Sequence, residues 1–343
     1  CLAVLAWPCF TCWVINIRLQ RSIAAFLICG CIDMWRLFSS IFFSSLAGLV
    51  AAQDITLLKN VRVFDGEEMH ADWYVIVQAD SIYYAGPDSP NVQPALQFDL
   101  KGKTLLPGLI EGHSHLLLHP YDETPWNDQV LKESFTERTV RAVNHARETL
   151  MAGFTTVRDL GTEGAGYLDV GLRDAIAKGL TPGPDMLVAG RAIVATGSYG
   201  PKGFAPHVDV PLGAEEADGQ DLIKVVRDQI GHGVDLIKVY ADYRWGPSGE
   251  AKPTFSVEEL CTMVETADAA GRPVVAHAAT AEGMRRAVLA GVQTIEHGDG
   301  GTPEVFALMR DSGVALCPTL AAGDAIMQYR GWQKGTESDP ARI

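Results

Sequence analysis

The chain alternates short apolar runs with longer amphipathic segments over most of its length after residue 105. Apolar runs of about four to eight residues favour buried strands, whereas apolar positions at helical spacing favour helices. Strands that alternate with helices are typical of a parallel sheet with helices packed against it. The predicted strands are 109–116, 155–159, 186–189, 236–240, 274–277, 294–297 and 314–317, and the predicted helices are 133–152, 168–178, 220–232, 257–270, 281–290 and 303–311.

Glycines stand where each predicted helix should end, as expected for residues that adopt the left-handed conformation after a helix. With seven strands and six helices, the pattern predicts an α/β fold of the TIM-type (β/α)8 barrel kind in which strand 8 is missing. We assign residues 105–343 to this incomplete barrel. The glycines are Gly153, Gly179, Gly233, Gly271, Gly291 and Gly313.

The segment before the barrel has a different pattern. Between residues 55 and 106, short alternating runs are separated by the turn-forming pairs Asp65-Gly66 and Gly86-Pro87. Alternation with a period of two indicates strands, and such pairs indicate the turns between them. We expect residues 53–104 to form a small β-domain.

The N-terminal residues resemble a targeting segment. Met34 precedes a basic residue, an apolar stretch and small residues up to Ala52, which is the arrangement of a signal peptide over 34–52. Residues 1–33 are then an upstream extension that is not native. A membrane anchor is the alternative, but charged residues interrupt the first apolar stretch before it reaches the length of a span. We expect an exported protein, periplasmic or extracellular.

Composition and charge limit the partners. The 343 residues are 47% hydrophobic and 20% charged, which is typical of a globular protein, and the net charge is −14. An acidic chain lacks the basic surface that nucleic acid requires, and it needs no membrane once a signal peptide is removed. A small-molecule substrate is the expected partner, and a homo-oligomer is compatible with the sequence. Cys317, within an apolar run, is interpreted as a small buried residue.

Histidines at the ends of predicted strands are the strongest chemical signal. The carboxyl ends of barrel strands meet on one face, so residues far apart in sequence become neighbours there. His113 and His115 are two positions apart on the first strand and therefore point to the same side. His277 and His297 each end a later strand. One such histidine is more often a core residue, but four together favour a shared metal site.

Lys238 lies between aliphatic residues in the predicted fourth strand. Burial disfavours the charged ammonium and lowers the pKa of a lysine, so we expect a reactive, largely neutral amine. The alternative is a lysine that extends from the strand end to water. The four histidines nearby favour the buried position.

Four motifs resemble the amidohydrolase superfamily, in particular its imidazolonepropionase-like and prolidase-like members. The resemblance implies a barrel flanked by a β-sandwich, of which residues 53–104 would form part. It implies two divalent metal ions, usually zinc, with His113 and His115 at one and His277 and His297 at the other. Lys238 would bridge them as a carbamate. The motifs are residues 106–115, 153–159, 276–278 and 291–298.

The implied reaction is attack of a metal-activated hydroxide on a C–N bond. Dipeptide-like, N-acyl amino acid and cyclic amide substrates all suit this chemistry. The family's proton-shuttling aspartate follows strand 8, which has no counterpart in this sequence, so no catalytic residue is assigned. A non-catalytic fragment or pseudoenzyme is therefore the alternative. Tyr240 and His207 are candidates for substrate binding. The alternatives, which the sequence alone favours at least as much, are a tyrosine of the barrel wall and an ordinary loop histidine.

Overall fold

The computed structural model describes residues 55–329 except residue 206, together with Gly331 and the backbone of two short strands. These strands, β1 (Leu2–Val4) and β2 (Ile15–Ile17), form an antiparallel pair. The remainder of the predicted upstream extension and the predicted signal peptide, residues 34–52, lie outside the described residues. The chain divides into two compact units, one of residues 1–108 with 151–153 and the other of residues 109–150 with 154–343.

The first unit contains a mixed five-stranded sheet. Its strand order is β5-β4-β3-β6, and β7 also pairs with β3. Asp65 forms the first turn by accepting hydrogen bonds from the backbone N–H groups of Glu67 and Glu68, as the sequence predicts at this position. One face of the sheet is apolar and buried. The strands are β3 (Ile55–Phe64), β4 (Met69–Gln78), β5 (Ser81–Gly86), β6 (Leu96–Asp99) and β7 (Thr104–Leu105).

The second unit is built on parallel strands. Seven of them follow the chain in spatial order as two ladders, which meet where the backbone N–H of Asp235 donates to Val188 O. Two shorter strands, β11 (Ile193–Val194) and β12 (Glu215–Glu216), extend one ladder. The seven are β8 (Leu109–Ser114), β9 (Phe154–Asp159), β10 (Asp185–Val188), β13 (Ile237–Tyr240), β16 (Val274–Thr280), β17 (Thr294–Gly300) and β18 (Ala315–Cys317).

Helices follow the strands, as in a TIM-type barrel. An antiparallel hairpin, β14 (Asp242–Arg244) with β15 (Ala251–Pro253), lies between the fourth strand and its helix. The helices are α1 (Trp126–Lys132), α2 (Phe135–Met151), α3 (Leu168–Ala177), α4 (Asp221–Gly231), α5 (Val257–Asp268), α6 (Ala281–Ala290), α7 (Pro303–Ser312) and α8 (Leu320–Tyr329).

Side chains alternate between the two faces of the barrel strands. Ile237 and Val239 face outward into the main apolar core, together with residues from α4, α5, α6 and α7. Lys238 and Tyr240, at the intervening positions of the same strand, face the barrel interior, which is the side that carries the candidate chemistry. No helix among the described residues combines the length and the apolarity that a membrane crossing requires.

Candidate metal centre

Folding brings the predicted histidines together at the carboxyl ends of the strands. The strand register places Tyr240 beside His277, His277 beside Glu296, and Glu296 beside Cys317. The imidazole of His113 is 5.0 Å from that of His297, and His297 is 4.5 Å from His277, measured between ring centroids. His115 completes the row at 5.1 Å from His113.

His113 and His115 face each other with unprotonated nitrogens. His113 Nδ1 is 2.9 Å from a carboxylate oxygen of Glu296, and His115 Nδ1 is 2.8 Å from Gly161 O. Because both partners are acceptors, each Nδ1 must carry the proton and each Nε2 must carry a lone pair. The two Nε2 atoms are only 3.2 Å apart. A cation between them would relieve the repulsion of two lone pairs this close.

The backbone at His297 turns its side chain into the barrel. Glu296, the preceding residue, already faces inward, so strict alternation would direct His297 outward. His297 has a φ of 75°, in the left-handed region, and this breaks the alternation. Its Nδ1 then lies 2.8 Å from Thr319 Oγ1. Strained backbone of this kind is often found at functional sites.

The imidazole of His277 stacks on a tyrosine ring and faces a carboxylate. Its imidazole stacks on the ring of Tyr240, with centroids 4.5 Å apart and planes inclined by 19°. His277 Nε2 is 3.6 Å from an oxygen of the buried Asp242. That carboxylate accepts hydrogen bonds from the backbone N–H groups of Ala279 and Thr280, which fixes it at the start of α6.

Lys238 is a buried amine in the barrel interior. Its side chain is 1% exposed, and Nζ has no hydrogen-bond partner among the described residues. Burial lowers the pKa of Lys238 to about 8. At neutral pH most of this amine is then still protonated, so it is less neutral than the sequence predicts, and its neutral fraction is the form that reacts with carbon dioxide.

The four imidazoles are neutral at physiological pH. Burial, followed by repulsion from Lys238 and neighbouring histidines, lowers the pKa of His113 and His277 far below the usual value. Burial also lowers the pKa of His115, and it lowers that of His297 to about 4. Neutral imidazole is the form that binds metals.

This set of residues fits a pair of divalent ions. For bonds of about 2.0–2.1 Å at a tetrahedral metal, two nitrogens are roughly 3.3 Å apart, close to the separation of His113 and His115 Nε2. The unpartnered Lys238 amine is explained in the same way, because a carbamate on it would supply anionic oxygens to the ions. The described residues thus supply neutral imidazole ligands and a buried amine, and a carbamate on that amine would complete the ligand set.

A second ligand-capable group overlaps this one. The donor atoms of His113, Glu296 and Cys317 lie within 4.8 Å of one another. Both oxygens of Glu296 already accept hydrogen bonds, and Arg158 is one of the donors. A third ion is therefore disfavoured there. Cys317 is half-buried and faces Glu296, so its interpretation as a small buried residue was wrong.

Tyr240 and His207 occupy different environments. The Tyr240 hydroxyl donates to Glu163 at 3.3 Å, and Tyr199 donates to the same carboxylate at 2.6 Å. The single proton of Tyr240 is thus directed to a carboxylate, and its ring supports His277. His207 is exposed on the loop before β12. Substrate binding by either residue stays a prediction.

Three supporting carboxylates were missed from sequence. Glu296 precedes a candidate ligand, Asp242 follows the fourth strand, and Glu163 lies in the loop after β9. The signal for Glu296 was available, because an acidic residue at an inward position of a buried strand requires a partner. The positions of Asp242 and Glu163 depend on the β14–β15 hairpin and on the loop after β9, and sequence periodicity reveals neither.

Comparisons with known proteins find a matching family and similar sequences. Residues 104–328 match the Amidohydrolase family. Ochratoxinase of Aspergillus niger is 29% identical over 249 residues, which are 66% of this chain and 50% of that protein. An uncharacterised protein of Mycobacterium tuberculosis is 28% identical over 222 residues, 64% of this chain and 51% of the relative. The chain spans about half the length of these relatives.

Solved structures are similar over most of the chain. A prolidase in complex with N-methylphosphonate-L-proline is 30% identical with a TM-score of 0.70, covering 80% of this chain and 68% of the other. A Xaa-Pro dipeptidase with methionine bound in the active site has the same identity and TM-score, covering 80% and 69%.

Proposed function

Because the chain belongs to the amidohydrolase family, we propose that this protein hydrolyses a C–N bond with the help of two divalent metal ions, zinc in the first instance. His113 and His115 would hold one ion and His277 and His297 the other, with Lys238 as a bridging carbamate. The substrate would be a dipeptide-like, N-acyl amino acid or cyclic amide. The similar prolidase and dipeptidase structures favour the dipeptide-like class.

One observation carries this proposal. The Nε2 atoms of His113 and His115 face each other at 3.2 Å while both Nδ1 atoms donate elsewhere. A purely structural pair of histidines would place a proton between these atoms. The unpartnered Nζ of Lys238 in the same interior supports the same conclusion.

Each residue has a defined task in the proposed reaction. A bound metal pair supplies Lewis acidity for the scissile carbonyl and makes a water acidic near neutral pH. The neutral amine of Lys238 would form an N–C bond with carbon dioxide and release one proton. Tyr240 keeps the ring of His277 in place by stacking, and Glu163 fixes Tyr240 through its hydroxyl.

The test is hydrolysis with and without metal. We expect the zinc-loaded protein to cleave at least one of a set of Xaa-Pro dipeptides, N-acyl amino acids and cyclic amides, and a chelator to abolish cleavage. His115→Asn should lose activity and zinc. His232→Asn is the control, because His232 is exposed at the C-terminal end of α4, where its Nδ1 bonds to Asp228 O. Turnover that survives removal of metal would contradict the proposal, and zinc binding without turnover would support the non-catalytic alternative.

We also propose that the protein is exported after cleavage near Ala52. The support is the basic residue, apolar stretch and small residues of 34–52. N-terminal sequencing of the secreted protein should begin at or near Gln53. A mature protein that retains Met34 would contradict this.

A further inference from the structure

Glu296 is a buried carboxylate at the centre of a network of donors. It is completely inaccessible to solvent. Arg158 Nη2 donates to one of its oxygens at 2.7 Å, and Thr294 Oγ1 donates to the same oxygen at 2.5 Å. The other oxygen lies 2.9 Å from His113 Nδ1. Nothing in the proposed reaction uses this carboxylate directly.

The network also ties together three strands that are distant in sequence. Arg158 on β9 donates from Nε to Gly112 O on β8 at 2.7 Å and from Nη1 to Thr294 on β17 at 3.1 Å. Gly112 precedes His113 in the chain. The guanidinium therefore bonds both to the backbone of β8 and to the carboxylate that faces His113.

We propose that Glu296 is a positioning residue that fixes His113 as the Nδ1–H tautomer and aims its Nε2 at the metal. Arg158 and Thr294 hold Glu296 in the orientation this requires. The inference rests on the proposed metal site. It deepens that proposal by stating what makes His113 a ligand before any ion binds.

The chemistry of the contact leaves one assignment. A carboxylate accepts hydrogen bonds, so the imidazole nitrogen facing it must carry the proton. A carboxylate on the outer nitrogen of a metal-binding histidine also makes the inner nitrogen a stronger donor, and loss of such a partner typically lowers metal affinity about 10- to 100-fold. In a glutamine at this position the carbonyl oxygen would accept from Arg158 and Thr294, so the N–H₂ group would face His113 Nδ1 and favour the Nε2–H tautomer.

A purely structural role for the Arg158–Glu296 pair is the competing explanation. Removing one partner of a buried ion pair destabilises a protein whether or not a ligand is involved. The two roles differ in the tautomer of His113, which a structural role would leave unchanged. They also differ in zinc affinity among variants that remain folded.

The first experiment needs no variant at Glu296. Long-range ¹H–¹⁵N correlation spectra of the metal-free protein at neutral pH report the tautomer of each neutral histidine, and His113→Gln identifies the His113 signals by their loss. We expect His113 to be the Nδ1–H tautomer. An Nε2–H tautomer in the unaltered protein would overturn the proposal.

The second experiment measures zinc affinity by competition with a chelating dye. We expect Glu296→Gln to weaken the tighter zinc site about 10- to 100-fold and to move the His113 tautomer toward Nε2–H. Glu296→Asp, which keeps the charge, should retain more affinity than the glutamine variant. Glu282→Gln is the control, because Glu282 is a surface carboxylate that pairs with Arg285 and Arg286.

The outcomes separate this inference from the proposed function. If Glu296→Gln folds, as shown by circular dichroism, and binds zinc as tightly as the unaltered protein, the positioning role is wrong. If the unaltered protein binds no zinc, the proposed function fails, while the tautomer of His113 still tests the effect of Glu296 on its own.

Discussion

Lys238 is a buried side chain that we expect to lower the free energy of unfolding. Its amine lies in the barrel interior without a hydrogen-bond partner among the described residues. A buried polar group left unpaired costs about 1–3 kcal/mol of folding free energy. Such a cost is expected where the missing partner is a ligand or a modification.

Replacing Lys238 should therefore raise stability and remove function. We expect Lys238→Met to increase the free energy of unfolding of the metal-free protein by about 1 kcal/mol, because the methionine needs no partner. The same variant should retain less zinc. Chemical denaturation and metal analysis measure the two effects. Lys132→Met, at a surface position paired with Asp128, should change neither; a destabilised Lys238→Met would show that the amine has a partner.

The histidines make the metal-free protein sensitive to acid. Burial lowers the pKa of His297 to about 4, whereas the unfolded chain has a value near 6.5. Between these two pH values the unfolded state binds a proton that the folded state does not, so stability falls as the pH decreases. The lowered pKa values of His113, His115 and His277 act in the same direction.

We expect the free energy of unfolding of the metal-free protein to be lower at pH 5 than at pH 7.5. His297→Asn should reduce this difference, because asparagine does not titrate and tolerates the left-handed backbone at this position. Urea denaturation at the two pH values measures it. A variant with the full pH dependence of the unaltered protein would contradict the assignment to His297.

At the level of single residues, the sequence identified groups that end strands but not the groups that support them. His113, His115, Lys238 and His277 followed from strand periodicity and from the face on which barrel strands end. His297 was predicted to end its strand, but β17 continues to Gly300. Its direction depends on a φ of 75°, and alternation alone would turn it away. The role of Tyr240 depends on the distant Glu163, which only the folded loops bring near.

The helices and strands illustrate which local signals are sufficient. Each of the seven predicted barrel strands is present with shifts of a few residues at its ends, because apolar runs flanked by turns specify buried strands. The glycines predicted to end helices all have positive φ, and Gly291 and Gly313 cap α6 and α7 in the left-handed conformation.

Other elements had no such signal. The short helix α1 follows Pro125 without a side-chain cap, and its seven residues are too few to show helical periodicity. The hairpin β14–β15 pairs only three residues on each side and depends on its position over β16. Elements stabilised by tertiary contacts more than by local sequence are the ones that periodicity misses.

The caps provide a matched test at this scale. Gly313→Ala should lower the free energy of unfolding by about 1 kcal/mol, because alanine is strained at the φ of 70° found there. Gly171→Ala is the control within α3, where an added Cβ meets no atom within 4 Å. That variant should raise stability by about 0.5–1 kcal/mol. Thermal denaturation of both variants distinguishes backbone strain from a general effect of alanine. Equal changes in the denaturation midpoint would contradict the strain at Gly313.

Across the whole molecule, the first and the last of the described barrel strands are edge strands. Among them, β8 pairs only with β9, and β18 pairs only with β17. Ile110 on β8 is 72% exposed and Leu316 on β18 is 40% exposed. Exposed strands with apolar side chains tend to pair with other chains.

We expect this chain to self-associate through these edges at high concentration. Ile110→Lys should reduce self-association because a charge on an edge strand opposes pairing. Analytical ultracentrifugation over a concentration series measures the effect. Leu180→Lys, at a similarly exposed position beyond α3, is the control for added charge. Equal reduction by both variants would show that net charge, not the strand edge, governs association.

The spacing of the two facing nitrogens would also determine which ions the proposed metal centre can accept. Since folding alone sets His113 and His115 at 3.2 Å, the donors lose little freedom when an ion arrives. Calcium takes oxygen donors at about 2.3–2.6 Å and fits such a rigid nitrogen pair poorly. We therefore expect this site to select small cations that prefer nitrogen ligands, even where calcium is abundant.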